Sequence, residues 1–352
     1  MTEPLPEAAD SENLTSALRR CGALSDGRVS AVAVESTRAT ILSKIVRLRL
    51  SYDRPGAGAP GTLIFKSGLP ERLTRAWNGG RQEVAFYTEI ASAMPAGMVP
   101  RCFEAEWDED TKHWRLLLED LTDSHRIATA WPLPPAREQC EQIIRTWARF
   151  HAHWWDDPRL GVSIGRWGDA AAVDAFLPRF AEKVQQFADR LGDRLPRERR
   201  NLYETLLDRA PRLVALTQNR RNSTIVHGDA HVWNCFLPRD GSADLRLFDW
   251  DSWRLGLATA DLAYMMAVHW YPDRRRLMER PLLDGYHDEL VARGVRGFDR
   301  RALEDDYRLS ALWQVAIPVF QAAADIPTVI WWNNFERIFM AVDDLGCREL
   351  LG

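Results

Sequence analysis

Cysteine is sparse and unpatterned in this 352-residue chain: Cys21, Cys102, Cys140, Cys235 and Cys347 are scattered, odd in number and form no Cys-x-x-Cys pair. That excludes a disulfide-stapled secreted domain and a thiolate metal cluster, and it fits a reduced, cytoplasmic protein. No run of 18 apolar residues exists, so no membrane span is expected. The formal net charge of −4 offers no basic surface for nucleic acid. Met1 to Glu7 is acidic and proline-bearing, unlike a signal peptide, and residues 1–12 are expected to be a disordered tail. Internal repeats are absent, and the one compositionally biased segment is a Pro/Gly turn at Pro55 to Gly61. What remains is a chain 46% hydrophobic, enough to build a sizeable core.

The informative stretch is Val226-His227-Gly228-Asp229-Ala230-His231-Val232-Trp233-Asn234, continuing to Leu247-Phe248-Asp249-Trp250. An aspartate, an asparagine five residues later and a second aspartate twenty residues later have the spacing of a kinase catalytic loop and its metal ligand. The chemistry explains the spacing. Moving a γ-phosphoryl group needs little covalent help, so catalysis rests on aiming the acceptor hydroxyl and neutralising phosphate charge. Asp229 would accept or orient the hydroxyl proton, while Asn234 and Asp249 would hold magnesium, a hard cation that prefers oxygen ligands. Cys235 to Leu237 and Leu245 to Phe248 read as a hairpin across Pro238 to Ser242, which would bring the three residues together. A polar turn between two strands is the plainer alternative.

Upstream, Val29 to Glu35, Val46 to Leu50 and Thr62 to Lys66 read as three strands of an antiparallel sheet. Lys66 ends the third. Glu83 follows seventeen residues on, inside the helically spaced Arg81 to Ile90, and in a kinase such a lysine clamps phosphates while a helix glutamate pairs with it. Pro100 to Trp107 and His113 to Leu118 are further strand candidates. Where Trp114 to Leu121 turns from apolar to acidic, a domain boundary is expected, giving regions 1–121 and 122–352. Backbone groups of Glu119 to Leu121 would then meet an adenine edge, unless this is a plain strand exit. The remainder reads as amphipathic helices: 137–155, 174–191, 197–216, 258–270, 275–293, 303–320 and 330–345.

These residues resemble the aminoglycoside phosphotransferase and choline kinase group. The likeness rests on His227-Gly228-Asp229 with Asn234, on Phe248-Asp249-Trp250, and on Gly256-x4-Asp261-Leu262-Ala263. Phe150-His151-Ala152-His153-Trp154-Trp155 and Glu83 to Tyr87 look closer to the ecdysteroid-kinase-like branch and its bacterial relatives. The resemblance implies an α+β, two-lobed protein-kinase-like fold with a small antiparallel β N-lobe and a larger, mainly helical C-lobe. It also implies ATP and Mg2+ as cofactors. Position by position, Asp229 matches the catalytic aspartate, Asn234 and Asp249 the magnesium ligands, Lys66 the phosphate lysine and Glu83 its partner. His227 matches a residue bracing the loop, and Asp261 one that is mostly structural. One departure stands out: Glu35 to Thr40 has no glycine where protein kinases carry a Gly-rich loop. Ser36, Thr37 and Thr40 either contact phosphate through hydroxyls and amides or form a polar hairpin turn.

Other features carry less. His151 and His153 are two apart, which does not suit a helical metal site. Asp251 reaches the same face as Asp249 only if the strand continues. Fifteen tryptophans, among them Trp154-Trp155, Trp270 and Trp331-Trp332, serve as core or as an aromatic acceptor wall. A polycationic aminoglycoside would want a carboxylate-lined cleft, and Asp156-Asp157 and Asp343-Asp344 are acidic pairs in the helical part. We therefore expect a small-molecule kinase acting on a hydroxyl of a partly apolar alcohol. The alternatives are an aminoglycoside O-phosphotransferase and a non-catalytic nucleotide-binding protein of kinase fold. A protein kinase fits less well, because no Ala-Pro-Glu follows Asp249.

Overall fold

A computed structural model describes residues 4–6, 8–54, 56, 58–73, 79–168, 170–217 and 220–352. The chain forms two compact units, Met1–Ile127 with Cys235–Ser252, and Ala128–Asn234 with Trp253–Gly352.

The first unit is built on a five-stranded antiparallel sheet, β1 (Val29–Ala39), β2 (Ser43–Tyr52), β3 (Thr62–Gly68), β4 (Cys102–Trp107) and β5 (Trp114–Glu119), in the order β1-β2-β3-β5-β4. Alternation decides its faces: Val46, Leu48 and Leu50 of β2 are buried with Leu63 and Phe65 of β3. Helix α1 (Ser11–Arg20) covers that side with Leu14, Ala17 and Leu18. Its N-cap is Asp10, whose carboxylate accepts from Asn13 N at 2.8 Å. Order thus begins inside the stretch expected to be a disordered tail; residues 1–3 and 7 lie outside the described residues. Lys66, next to Phe65, points to the other face, where the short helices α2 (Pro70–Leu73) and α3 (Gly80–Ala85) follow. Helix α3 runs on as a wide π turn, Phe86–Ile90. Gly80 is required there, because a Cβ would lie 2.2 Å from the Trp114 ring.

Five short strands come later: β6 (His125–Ile127), β7 (Ser223–Val226), β8 (Cys235–Pro238), β9 (Arg246–Leu247) and β10 (Arg254–Leu257). The expected hairpin is present as β8 and β9, with Cys235 opposite Leu247 and Phe236 opposite Arg246. Pairing of β6 with β8 joins this hairpin to the first unit, which also runs past residue 121 to Ile127.

The second unit is helical: α4 (Arg137–His153), α5 (Ala170–Leu191), α6 (Arg197–Thr217), α7 (Thr259–Ala263), α8 (Pro272–Ala292), α9 (Arg300–Trp313), α10 (Ala316–Ala323) and α11 (Thr328–Asp344). Helix α4 buries Cys140, Ile143, Ile144, Trp147, Phe150 and His151, the 3–4 spacing of a core stripe. The single helix expected over 303–320 is two. Pro318 has no N–H to give the Gln314 carbonyl, which accepts from Ile317 instead at 3.0 Å, and the axis breaks there. Trp154, Trp270 and Trp331 are buried and serve as core. No described helix is long and apolar enough to cross a membrane.

Candidate active site

In the first unit, Lys66 stands between two carboxylates. Its Nζ lies 2.8 and 2.6 Å from the Glu83 oxygens and 2.5 Å from Asp249 Oδ1. Burial works against the ammonium, but the charges of Asp249 and Glu83 outweigh it and hold the Lys66 pKa above the ordinary lysine value. The Trp250 backbone N–H also bonds the Glu83 carboxylate, so helix and loop share one network. Asp249 has φ of 70°, in the left-handed region that a non-glycine residue enters only when its surroundings fix it there. Lys66 and Glu83 side chains are almost fully buried, whereas that of Asp249 is 37% exposed.

In the second unit, Asp229 and Asn234 sit at the two ends of one turn. Asn234 Nδ2 donates to the Asp229 carbonyl at 3.0 Å and to Asp229 Oδ2 at 3.2 Å. The turn is closed by His231 N donating to the Asp229 carbonyl and Asn234 N to that of His231, at 2.8 and 3.0 Å. Gly228, at φ of 82°, lets the chain reverse just before Asp229. Below the loop lies Asp261, fully buried. Its carboxylate accepts from His227 N at 2.7 Å and Gly228 N at 3.0 Å, and His151 Nε2 is 3.2 Å away. His151 Nδ1 in turn meets the Tyr286 hydroxyl at 2.7 Å. Asp261 thus anchors the loop's backbone.

Sequence reasoning missed one contact. The Tyr264 hydroxyl donates to Asp229 Oδ1 at 2.5 Å. The only hint was position, since Tyr264 directly follows Asp261-Leu262-Ala263 and falls one helical turn after Asp261. Around Asp229 the rings of His231, Trp233, Tyr264 and His269 contact one another, with centroids 5.0 to 6.4 Å apart. For Asp229, burial is outweighed by His231, by the Tyr264 hydrogen bond and by its other neighbours, and the carboxyl is held below its usual pKa.

The remaining expected positions fare differently. Glu119 N donates to the Arg101 carbonyl at 2.8 Å, and the Leu121 carbonyl accepts from His125 N at 2.9 Å, so those two backbone groups are engaged within the fold. Ser36 and Thr37 are not in a turn. They pair with Arg47 and Val46 within the β1–β2 ladder, which continues to Ala39 opposite Lys44. The turn is Thr40 to Ser43, where the Thr40 hydroxyl accepts from Leu42 N and Ser43 N at 3.2 and 2.9 Å. Strand β1 is an edge strand, so polar side chains there need no buried face and the ladder outruns the apolar alternation.

An antiparallel sheet carrying a Lys–Glu–Asp network, with a helical unit carrying an Asp–Asn loop braced from beneath, defines a phosphotransferase of protein-kinase-like fold. The chain belongs to the phosphotransferase enzyme family, whose sequence profile matches residues 56–304, and it is a small-molecule kinase with a hydroxyl acceptor. No curated protein sequence matches it significantly. Among solved structures it is similar to a Ralstonia eutropha JMP134 protein provisionally described as an aminoglycoside phosphotransferase (TM-score 0.57, 16% identity, 97% of this chain and 98% of that one). It is also similar to the choline kinase LicA of Streptococcus pneumoniae (0.52, 12%, 95% and 100%). A third is the amicoumacin kinase hAmiN in complex with AMP-PNP, Ca2+ and Ami (0.53, 14%, 95% and 93%). At these identities the structures speak to the fold.

Proposed function

We propose that the protein transfers the γ-phosphoryl group of Mg-ATP to a hydroxyl of a partly apolar small alcohol in the cytoplasm, a setting its five free cysteines support. Asp229 takes the proton of the acceptor hydroxyl. The alcohol oxygen forms its bond to the γ-phosphorus as the bond to the bridging oxygen breaks, and ADP leaves with that electron pair. Lys66 holds nucleotide phosphates, and Glu83 keeps its ammonium aimed.

Asn234 and Asp249 would hold the magnesium. Their donor sets fit a hard cation: Asn234 commits its amide nitrogen to Asp229, which turns its oxygen away, and Asp249 commits Oδ1 to Lys66 while Oδ2 has no hydrogen-bond partner among the described residues. Bound magnesium supplies charge that neutralises phosphate oxygens. The backbone of Glu119 to Leu121 serves the base edge. Thr37 keeps a nucleotide role through its hydroxyl, buried without a partner among the described residues, with exposed Ser36 beside it. The Phe150 to Trp155 segment supports membership of the ecdysteroid-kinase-like branch.

Two observations support a weakly cationic or neutral acceptor. Aromatic rings lie around Asp229, and the carboxylates of Asp156-Asp157 and Asp343-Asp344 are already committed. Asp157 pairs with Arg159 at 2.7 Å, Asp343 with Arg348 at 2.7 Å and Asp344 with Arg275 at 2.6 Å, while Asp156 accepts from Ser223 N at 2.9 Å. The observation that carries the reading is the Asp229–Asn234 turn, which presents one carboxylate and one amide oxygen from a single braced loop. A screen of alcohols with purified protein and Mg-ATP tests it. We expect apolar alcohols to be phosphorylated, with turnover abolished in Asp229→Asn. Preferential turnover of aminoglycosides would overturn the acceptor class, and an active Asp229→Asn would overturn the mechanism.

A further inference from the structure

Helix α7 and the π turn that continues it grip the catalytic loop at two places. Asp261 takes the backbone N–H groups of His227 and Gly228, and Tyr264, one turn later on the same face, reaches the carboxylate of Asp229. The two Asp229 oxygens are thereby made unlike. Oδ1 receives the Tyr264 hydroxyl at 2.5 Å, whereas Oδ2 is flanked more loosely by Asn234 Nδ2 at 3.2 Å and His231 Nε2 at 3.4 Å. Tyr264 is 5% exposed and begins the wide turn Tyr264–Val268, a helical irregularity often found at functional sites.

We propose that Tyr264 is a positioning residue: by holding Asp229 Oδ1 it fixes the carboxylate's rotation so that Oδ2 takes the proton of the acceptor hydroxyl. This rests on the reading of Asp229 as proton acceptor. A carboxylate free to rotate spends part of its time misaimed, and misplacement by about 1 Å can cost roughly a hundredfold in rate. Two other accounts of the contact exist. In one, the phenol is a buried group finding a partner; in the other, its hydroxyl occupies the place of the acceptor and restrains turnover. Each gives a different result below.

The test uses the full chain, Mg-ATP and water as phosphoryl acceptor under single-turnover conditions, so that no acceptor need be known. Tyr264→Phe keeps the ring and removes the hydroxyl. We expect its rate to fall roughly tenfold to a hundredfold with the half-saturating Mg-ATP concentration unchanged. Tyr203→Phe, which removes another buried tyrosine bond, to the Val315 carbonyl at 2.9 Å, is the stability control and should keep the wild-type rate. A Tyr264→Phe rate at or above wild type, with Asp229→Asn inactive, would overturn the positioning role and leave the reading of Asp229 standing. A Tyr264→Phe protein that has lost Mg-ATP binding as well would also count against it, as a structural loss. Wild-type turnover in Asp229→Asn would remove the reading on which the inference stands.

Discussion

Phe86 and Trp250 stack face to face, with centroids 3.9 Å apart and planes 5° from parallel. Phe86 lies three residues after Glu83, and Trp250 directly follows Asp249. One aromatic contact therefore ties together the helix and the loop that present the two carboxylates meeting Lys66, and the Trp250 N–H adds a bond to Glu83. Trp250 is fully buried. Its replacement should unsettle stability and the lysine network together.

We expect Trp250→Ala to destabilise the protein by about 3–5 kcal/mol through loss of the buried ring and the cavity left behind. Urea denaturation measures this. Trp250→Phe, which can retain a stack on Phe86, should lose less, and equal losses in the two variants would mean that the ring contact contributes little.

Lys66→Met leaves the Glu83 and Asp249 carboxylates without the cation that separates them. Turnover should drop on the order of 100-fold, since the charge proposed to meet phosphate oxygens is removed. Glu83→Gln retains the ammonium but loosens its aim, so its loss should be smaller. Steady-state kinetics with varied Mg-ATP would show the order, and the reverse order would contradict the assignment.

Asp261→Asn replaces a buried acceptor of three hydrogen-bonding groups with one that turns N–H groups toward donors. A loss of about 3–5 kcal/mol is expected at neutral pH. Burial alone would raise the Asp261 pKa, but bonds from His151 and the loop prevail and hold it below the usual carboxylate value. The folded state then binds its proton less readily than the unfolded chain. The Asp261 contribution is fully present above the ordinary carboxylate pKa and is lost as pH falls through the lower folded value. Denaturation midpoints of the two proteins should therefore converge in acid, and a gap independent of pH would refute this.

Gly80→Ala would drive a Cβ to 2.2 Å from the Trp114 ring, whose face also lies 5.9 Å from Lys66 Nζ. Helix α3 or Trp114 must shift. The expected destabilisation is about 1–3 kcal/mol, read as a lowered thermal midpoint. A shortened side chain in the double variant Gly80→Ala/Trp114→Leu should recover part of it.

Much of the site was legible because its members are close in sequence or fall on neighbouring elements. Asp229 and Asn234 share one turn, and Lys66 and Glu83 sit on a strand and the helix that follows. Ser36 and Thr37 were misplaced because strand pairing, not the apolar alternation of β1 alone, sets where a hairpin turns. The helix expected over 303–320 failed at Pro318, a local signal outweighed in the reading by apolar periodicity. The commitment of Asp344 to Arg275 was not visible, since the two lie sixty-nine positions apart.

By itself the sequence determined the family, and with it phosphoryl transfer. Residue type and short spacing dictate an Asp–Asn loop, a following aspartate and a strand lysine with a helix glutamate, and amphipathic periods dictate a sheet followed by helices. Tertiary structure decided which atoms of those residues meet. Packing of α7 beneath the loop brings Asp261 to its backbone and Tyr264 to one oxygen of Asp229, and the Phe86–Trp250 stack ties the Asp249 loop to the segment that carries Glu83. Such contacts depend on rotations and register between elements distant in sequence, which no local pattern encodes.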